Sequence, residues 1–110
     1  MFHLTFRSRD DLTLFPDPDR QRLALRTLAR VAGELLVAFS LADNHFHLVT
    51  VGGRWQAARI AQRAACALAP VTAARLAPAR YTPINDRAHL TNAVKYLLRQ
   101  PAHHGIGAHP

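Results

Sequence analysis

Cysteine is nearly missing from this chain of 110 residues: Cys66 stands alone, which excludes a disulfide framework and a paired-cysteine zinc motif. Set in an alanine-rich stretch, Cys66 is expected to be a packed core residue. Long apolar runs are also absent, and no signal peptide is expected. The expectation is a reduced, soluble, cytoplasmic protein with no membrane segment. The five glycines are scattered apart from Gly52-Gly53, which reads as a turn and not as a phosphate-cradling loop. No internal repeat or low-complexity tract divides the chain. Residues 1–110 therefore read as one domain with room for one modest core, with 102–110 as a flexible tail. An apolar content of 49% excludes wholesale disorder.

Acidic residues are scarce in a position-dependent way. Residues 1–44 carry six arginines against six acids, whereas 45–110 carry seven arginines and Lys95 against Asp86 alone, so the whole surplus of +7 lies in the second part. Such a surplus suits a polyanion, because each neutralised phosphate releases condensed counterions. The preference for arginine, thirteen to one lysine, is also what GC-rich coding produces, so the net charge carries more information than the residue type.

What the charged half does contain is Asn44-His45-Phe46-His47-Leu48-Val49-Thr50, an apolar run with two histidines one residue apart. Side chains at i and i+2 leave a strand on the same face, so both imidazoles point one way and Phe46 and Leu48 the other. This is half of a metal site. Further on, Leu90, Ala93, Val94, Leu97 and Leu98 recur at helical spacing between Asp86, a candidate N-cap, and Pro101. On that helix Tyr96 and Gln100 lie one turn apart on one side, and His89 falls on the same flank of the apolar stripe.

The remaining elements follow from periodicity and punctuation. Phe2 to Arg7 alternates as a first strand; Asp17-Pro18 caps a helix ending at Gly33; Leu35 to Leu41 is a second strand, joined through Asp43-Asn44 to the histidine strand as a hairpin. Arg54 opens a second helix running to about Leu68, with Ala57, Ile60, Ala61, Ala64 and Leu68 inward and Gln56, Arg59 and Arg63 on an outward basic stripe. Residues 71–80 have weak periodicity. Ala79 to Ile84 fits a last strand at a sheet edge, because Pro83 has no amide donor. The order β-α-β-β-α-β-α predicts an α+β fold of the split ferredoxin-like kind, an antiparallel sheet with helices packed on one face. Trp55 is expected to pack at its helix start, the alternative being a base-stacking surface. His103, His104 and His109 read as tail residues and not as a metal tract.

Taken together, Asp43-Asn44-His45-Phe46-His47-Leu48-Val49 and Tyr96-Leu97-Leu98-Arg99-Gln100-Pro101 resemble the signature strand and tyrosine helix of the HUH endonucleases, in particular single-tyrosine transposases akin to the REP-associated tyrosine transposases. The Phe2-His3-Leu4-Thr5 opening shares in the resemblance, while Asp43 stands where a proline is usual. The resemblance implies the HUH variant of the ferredoxin-like fold with the histidines on a central strand. It implies a metal-dependent nickase and joining enzyme in which Tyr96 is the nucleophile and His45, His47 and Gln100 hold Mg²⁺ or Mn²⁺. It further implies a 5′-phosphotyrosine intermediate, single-stranded hairpin DNA as partner, and a monomer or homodimer. Arg54, Arg59, Arg63, Lys95 and Arg99 are the candidate phosphate contacts and His89 a candidate proton acceptor. The rival expectations are a domesticated or inactive DNA-binding relative, another HUH enzyme such as a replication initiator or relaxase, and a ferredoxin-like binding module whose histidines are coincidental.

Overall fold

The computed structural model describes residues 1–98 and 104–106, with side chains through Lys95. Strands β1 (Phe2–Arg7), β2 (Leu36–Leu41), β3 (His45–Thr50), β4 (Arg80–Pro83) and β5 (His104–Ile106) form one sheet in the order β4-β1-β3-β2-β5. Every pairing is antiparallel, and the histidine strand β3 is central. Helices α1 (Pro18–Ala32), α2 (Arg54–Leu68) and α3 (Arg87–Leu98) complete an α+β fold.

Local signals set the ends of these elements. The Asp17 carboxylate accepts from the Arg20 amide at 2.8 Å, closing the first turn of α1 beside Pro18. Gly33 ends α1 at φ +54°, where a side chain would be strained. Gln56 reaches back to the Gly53 amide at 2.9 Å to start α2, and Asp86 accepts from the His89 amide at 2.7 Å to start α3. Pro83 lies in β4, an edge strand, where its missing amide breaks no ladder.

One face of the sheet carries Leu4, Phe6, Phe39, Leu41, Phe46 and Leu48, packed under Ala24 and Leu28 of α1 and Ala57, Ile60, Ala64 and Leu68 of α2. Phe6 and Phe46 sit opposite in register and stack with centroids 4.4 Å apart. The other face is also covered. Ala38 and Val49 are buried there with Ile84 and Ala93, and Leu90 and Val94 of α3 pack alongside. Helices therefore lie on both faces, not on one as the element order predicted. The reason lies in Ala38 of β2 and Val49 of β3, adjacent apolar residues on the face that α1 and α2 leave open, which need cover of their own.

Other expectations change for equally local reasons. Three residues of the expected tail, His104–Ile106, pair with Ala38–Ser40 as β5, so that part of it is ordered by the sheet edge; His103 and His109 lie outside the described residues. Cys66 is exposed rather than packed, because it falls off the inward stripe of α2 marked by Ala61, Ala64 and Leu68. Trp55 is 70% exposed rather than packed at the helix start. The weakly periodic 71–79 stretch is irregular but tied down: Ala73, Arg75 and Ala77 exchange backbone hydrogen bonds with Leu14, Arg9 and Arg7 at 3.0, 2.7 and 2.8 Å. Among the described residues, no helix is long and apolar enough to cross a membrane.

Candidate functional site

Pairing register determines what surrounds the two histidines. Arg7, Thr5 and His3 of β1 lie opposite His45, His47 and Val49 of β3, and Ser40 of β2 lies opposite His47. Directly opposed residues share a face, so His3, Thr5, Ser40, His45 and His47 converge on the α3 side of the sheet. The rings of His45 and His47 are 5.0 Å apart between centroids and nearly perpendicular, at 87°. A cation about 2.1 Å from one nitrogen of each ring would put the centroids about 4.6 to 5.3 Å apart for ligand angles between about 90° and 109°. The spacing fits joint ligation of one ion.

Each ring is anchored through Nδ1. His45 Nδ1 lies 2.8 Å from the Asn44 side-chain oxygen, and the same amide donates its Nδ2 hydrogen to the Asp11 carboxylate. Because the carboxylate accepts only, it turns the amide nitrogen toward itself and the amide oxygen toward His45, so His45 Nδ1 carries the hydrogen and donates it. That tautomer makes Nε2 the nitrogen offered to a metal, the arrangement that outer-sphere partners commonly impose on ligand histidines. Asp11 itself has φ +58°, an uncommon backbone state for a residue with a side chain. Neither Asp11 nor Asn44 was expected to act at the site. Asn44 did stand inside the histidine motif that carries the resemblance, whereas Asp11 was read only as part of a turn.

His47 is 3% exposed, and its Nδ1 lies 3.0 Å from His3 Nε2 and 3.3 Å from Thr5 Oγ1. For His47 to present Nε2 to a cation, Nδ1 carries the hydrogen and donates to His3. Sequence reasoning gave His3 no role at the site because it is 44 residues away; its place in the Phe2-His3-Leu4-Thr5 opening of the resemblance was the signal that could have found it. Burial, and then the neighbouring charges of His3, His45 and Arg7, push the His47 pKa down to about 3. Burial and the charge of His89 lower that of His3. Near neutral pH both rings are held neutral, the form that ligates metal.

This depression has a direct consequence for the metal-free protein. Because the folded value of His47 lies below the ordinary 6.5, the unfolded chain takes up this proton first as acid is added. Stability is thus retained above about pH 6.5 and lost on the way down towards pH 3, with a slope of up to about 1.4 kcal/mol per pH unit from this group. Urea unfolding in chelator between pH 4 and 8 should show that loss, and His47→Gln should flatten it. An equal slope in both proteins would mean that the burial of His47 has no such effect.

The other expected site residues divide into three groups. His89 and Lys95 lie on α3, the layer covering the histidine face; His89 is half-buried and near enough for its charge to act on His3, while Lys95 is exposed. Tyr96 belongs to the same helix, following Ala93 and Val94, which pack against that face. Arg99 and Gln100 lie outside the described residues. Arg54, Arg59 and Arg63 are exposed on α2, across the sheet from the histidines, with Arg54 over the Tyr81 ring at 4.2 Å and Arg59 over the Trp55 ring at 5.4 Å. Among the described residues no third imidazole, carboxylate or thiol joins His45 and His47 as a ready metal cluster. Compared with known proteins, the chain matches no family model, no curated protein and no solved structure.

Proposed function

We propose that the protein is a metal-dependent single-stranded DNA endonuclease and strand transferase of the HUH single-tyrosine kind, on the HUH variant of the ferredoxin-like fold. The observation that carries the reading is the pair His45 and His47 on the central strand, with ring centroids 5.0 Å apart and both Nδ1 atoms engaged, under the helix to which Tyr96 belongs. Two preset imidazoles beneath a tyrosine helix suit phosphodiester transesterification better than they suit a passive binding module.

In this reading His45, His47 and Gln100 hold a divalent cation, Mg²⁺ or Mn²⁺. Such an ion, held there, would supply polarisation of a phosphoryl oxygen and offset charge in the transition state. Tyr96 Oη attacks the phosphorus as its proton passes to an acceptor, for which His89 is the candidate. The bond from phosphorus to the 3′ oxygen breaks, and that oxygen leaves as a 3′-hydroxyl after taking up a proton. The 5′ phosphate stays on the tyrosine, so a later 3′-hydroxyl can reverse the step without a nucleotide cofactor. A free tyrosine has a pKa of about 10, so its activation would depend on the proton acceptor. Lys95 and Arg99 are the basic residues closest in sequence to the nucleophile and would contact phosphates around it.

The testing experiment offers Mn²⁺ and a pool of labelled single-stranded DNAs with imperfect hairpins and unpaired flanks. The expected product is protein attached to a DNA 5′ end, seen on a denaturing gel. DNA that binds without any adduct, across the pool, would favour a non-cleaving relative. His3 gives a separate check on the metal. His3→Ala removes the partner of His47 Nδ1 and should weaken Mn²⁺ binding about 10- to 100-fold, whereas His3→Gln, whose side-chain oxygen still accepts, should restore most of it. Nitrogen NMR of His47 should show hydrogen on Nδ1 in the wild type. Equal affinity in all three proteins would remove His3 from the site.

A further inference from the structure

The only tryptophan is not used by the nuclease reading, and it is 70% exposed at the start of α2. An exposed indole offers a flat π face to a partner, and here it is flanked by charge. Arg59 lies over the Trp55 ring at 5.4 Å, and Trp55, Ala58, Arg59, Gln62 and Arg63 line one shallow hollow. No acid occurs on α2 or β4, and Asp86 is the only one after residue 44. An aromatic plane beside two guanidinium groups that form no ion pair among the described residues matches a base flanked by phosphates. A second protein surface would have to bury Arg59 and Arg63 against carboxylates of its own.

We propose that the outer surface of α2 is a second contact for single-stranded DNA, in which an unpaired base stacks on Trp55 and its neighbouring phosphates pair with Arg59 and Arg63. For the identity of its ligand this rests on the nuclease reading, but the surface is separate from the histidine face, being across the sheet from it. The two are joined around the β4 edge. Arg80 lies opposite Thr5, in the row that contains His47, while the next residue, Tyr81, points to the α2 side and carries the Arg54 guanidinium 4.2 Å above its ring. A strand bent over that edge would pass Arg54 and Arg80. The histidine face then receives the phosphate to be cut, and α2 holds the unpaired flank.

A single tryptophan makes its own reporter. Titrating the full chain with an oligothymidylate of about twelve nucleotides should quench Trp55 emission in step with the fluorescence anisotropy of a labelled copy, with steep weakening by salt. Trp55→Ala, at an exposed position, should lower affinity roughly 5- to 150-fold, and Arg59→Ala with Arg63→Ala should lower it and reduce the salt slope. Binding with unchanged emission, equal affinity in Trp55→Ala, or no binding by either readout would overturn the proposal. Emission that shifts with protein concentration, together with a dimer in sedimentation that Trp55→Ala dissolves, would overturn it in favour of a second copy. His45→Ala should leave the quenching intact. Quenching without any adduct therefore counts against the nuclease reading alone, and an adduct without quenching counts against this proposal alone.

Discussion

Tyr96→Phe is expected to give no covalent adduct with any single-stranded hairpin that the wild type attacks, while binding the same DNA with little change. The substitution removes one oxygen and keeps the ring, so helix α3 should keep its packing through Leu90, Ala93 and Val94. Loss of the nucleophile removes the covalent route outright, and positioning alone cannot replace it. The measurement is a denaturing gel with end-labelled DNA beside an anisotropy titration on the same material. An adduct that persists would make another residue the nucleophile. Tyr81 is the other tyrosine, and it faces the α2 side of the sheet, beneath Arg54. Adduct formation by Tyr81 would move the reaction across the sheet from the histidines and sink the proposed mechanism.

Equally large is the effect expected of His45→Ala: cleavage slowed on the order of 10³-fold or more, as a cation worth several kcal/mol to the transition state is lost, with Mn²⁺ binding reduced in step. His45 is the better probe of the pair because it is half-buried. Removing His47, at 3% exposure, would instead leave His3 Nε2 and Thr5 Oγ1 facing a cavity and confuse loss of metal with loss of fold. Chelator should reproduce the defect in the wild type, and excess Mn²⁺ should reverse it. Full activity of His45→Ala in chelator would show that no ion takes part and that the histidine pair serves the fold alone.

The two predictions draw on different levels of information. That His45 and His47 share a face follows from the two-residue repeat of a strand, and that Tyr96 lies in a helix follows from the spacing of Leu90, Ala93 and Val94 after Asp86. The helix ends at Asp17, Gly33 and Asp86 were likewise legible, because capping depends on neighbours a few residues away. The exposed position of Cys66 was also within reach, since the inward stripe of α2 already excluded it.

Partners brought together across the chain were not legible. Register decides that His3 falls beside His47 and that Asn44 stands between Asp11 and His45, and register depends on which strands pair and where they start. The expectation that every helix lies on one face failed for the same reason. The apolar stripe of α3 specifies burial but not against which sheet face, and the answer came from Ala38 and Val49, side by side on a face the first two helices leave open. Trp55 shows the limit most plainly: an aromatic residue at a helix start has the same local pattern packed or exposed, and only the course of the surrounding chain leaves it at 70% exposure. By itself the sequence determined the elements, their caps and the shared face of the histidine pair, because these depend on torsions and periodicities within a few residues. Tertiary structure decided which layer covers the pair, which residues hold its rings and which aromatic residue meets solvent, because these depend on contacts between segments that only pairing and packing bring together.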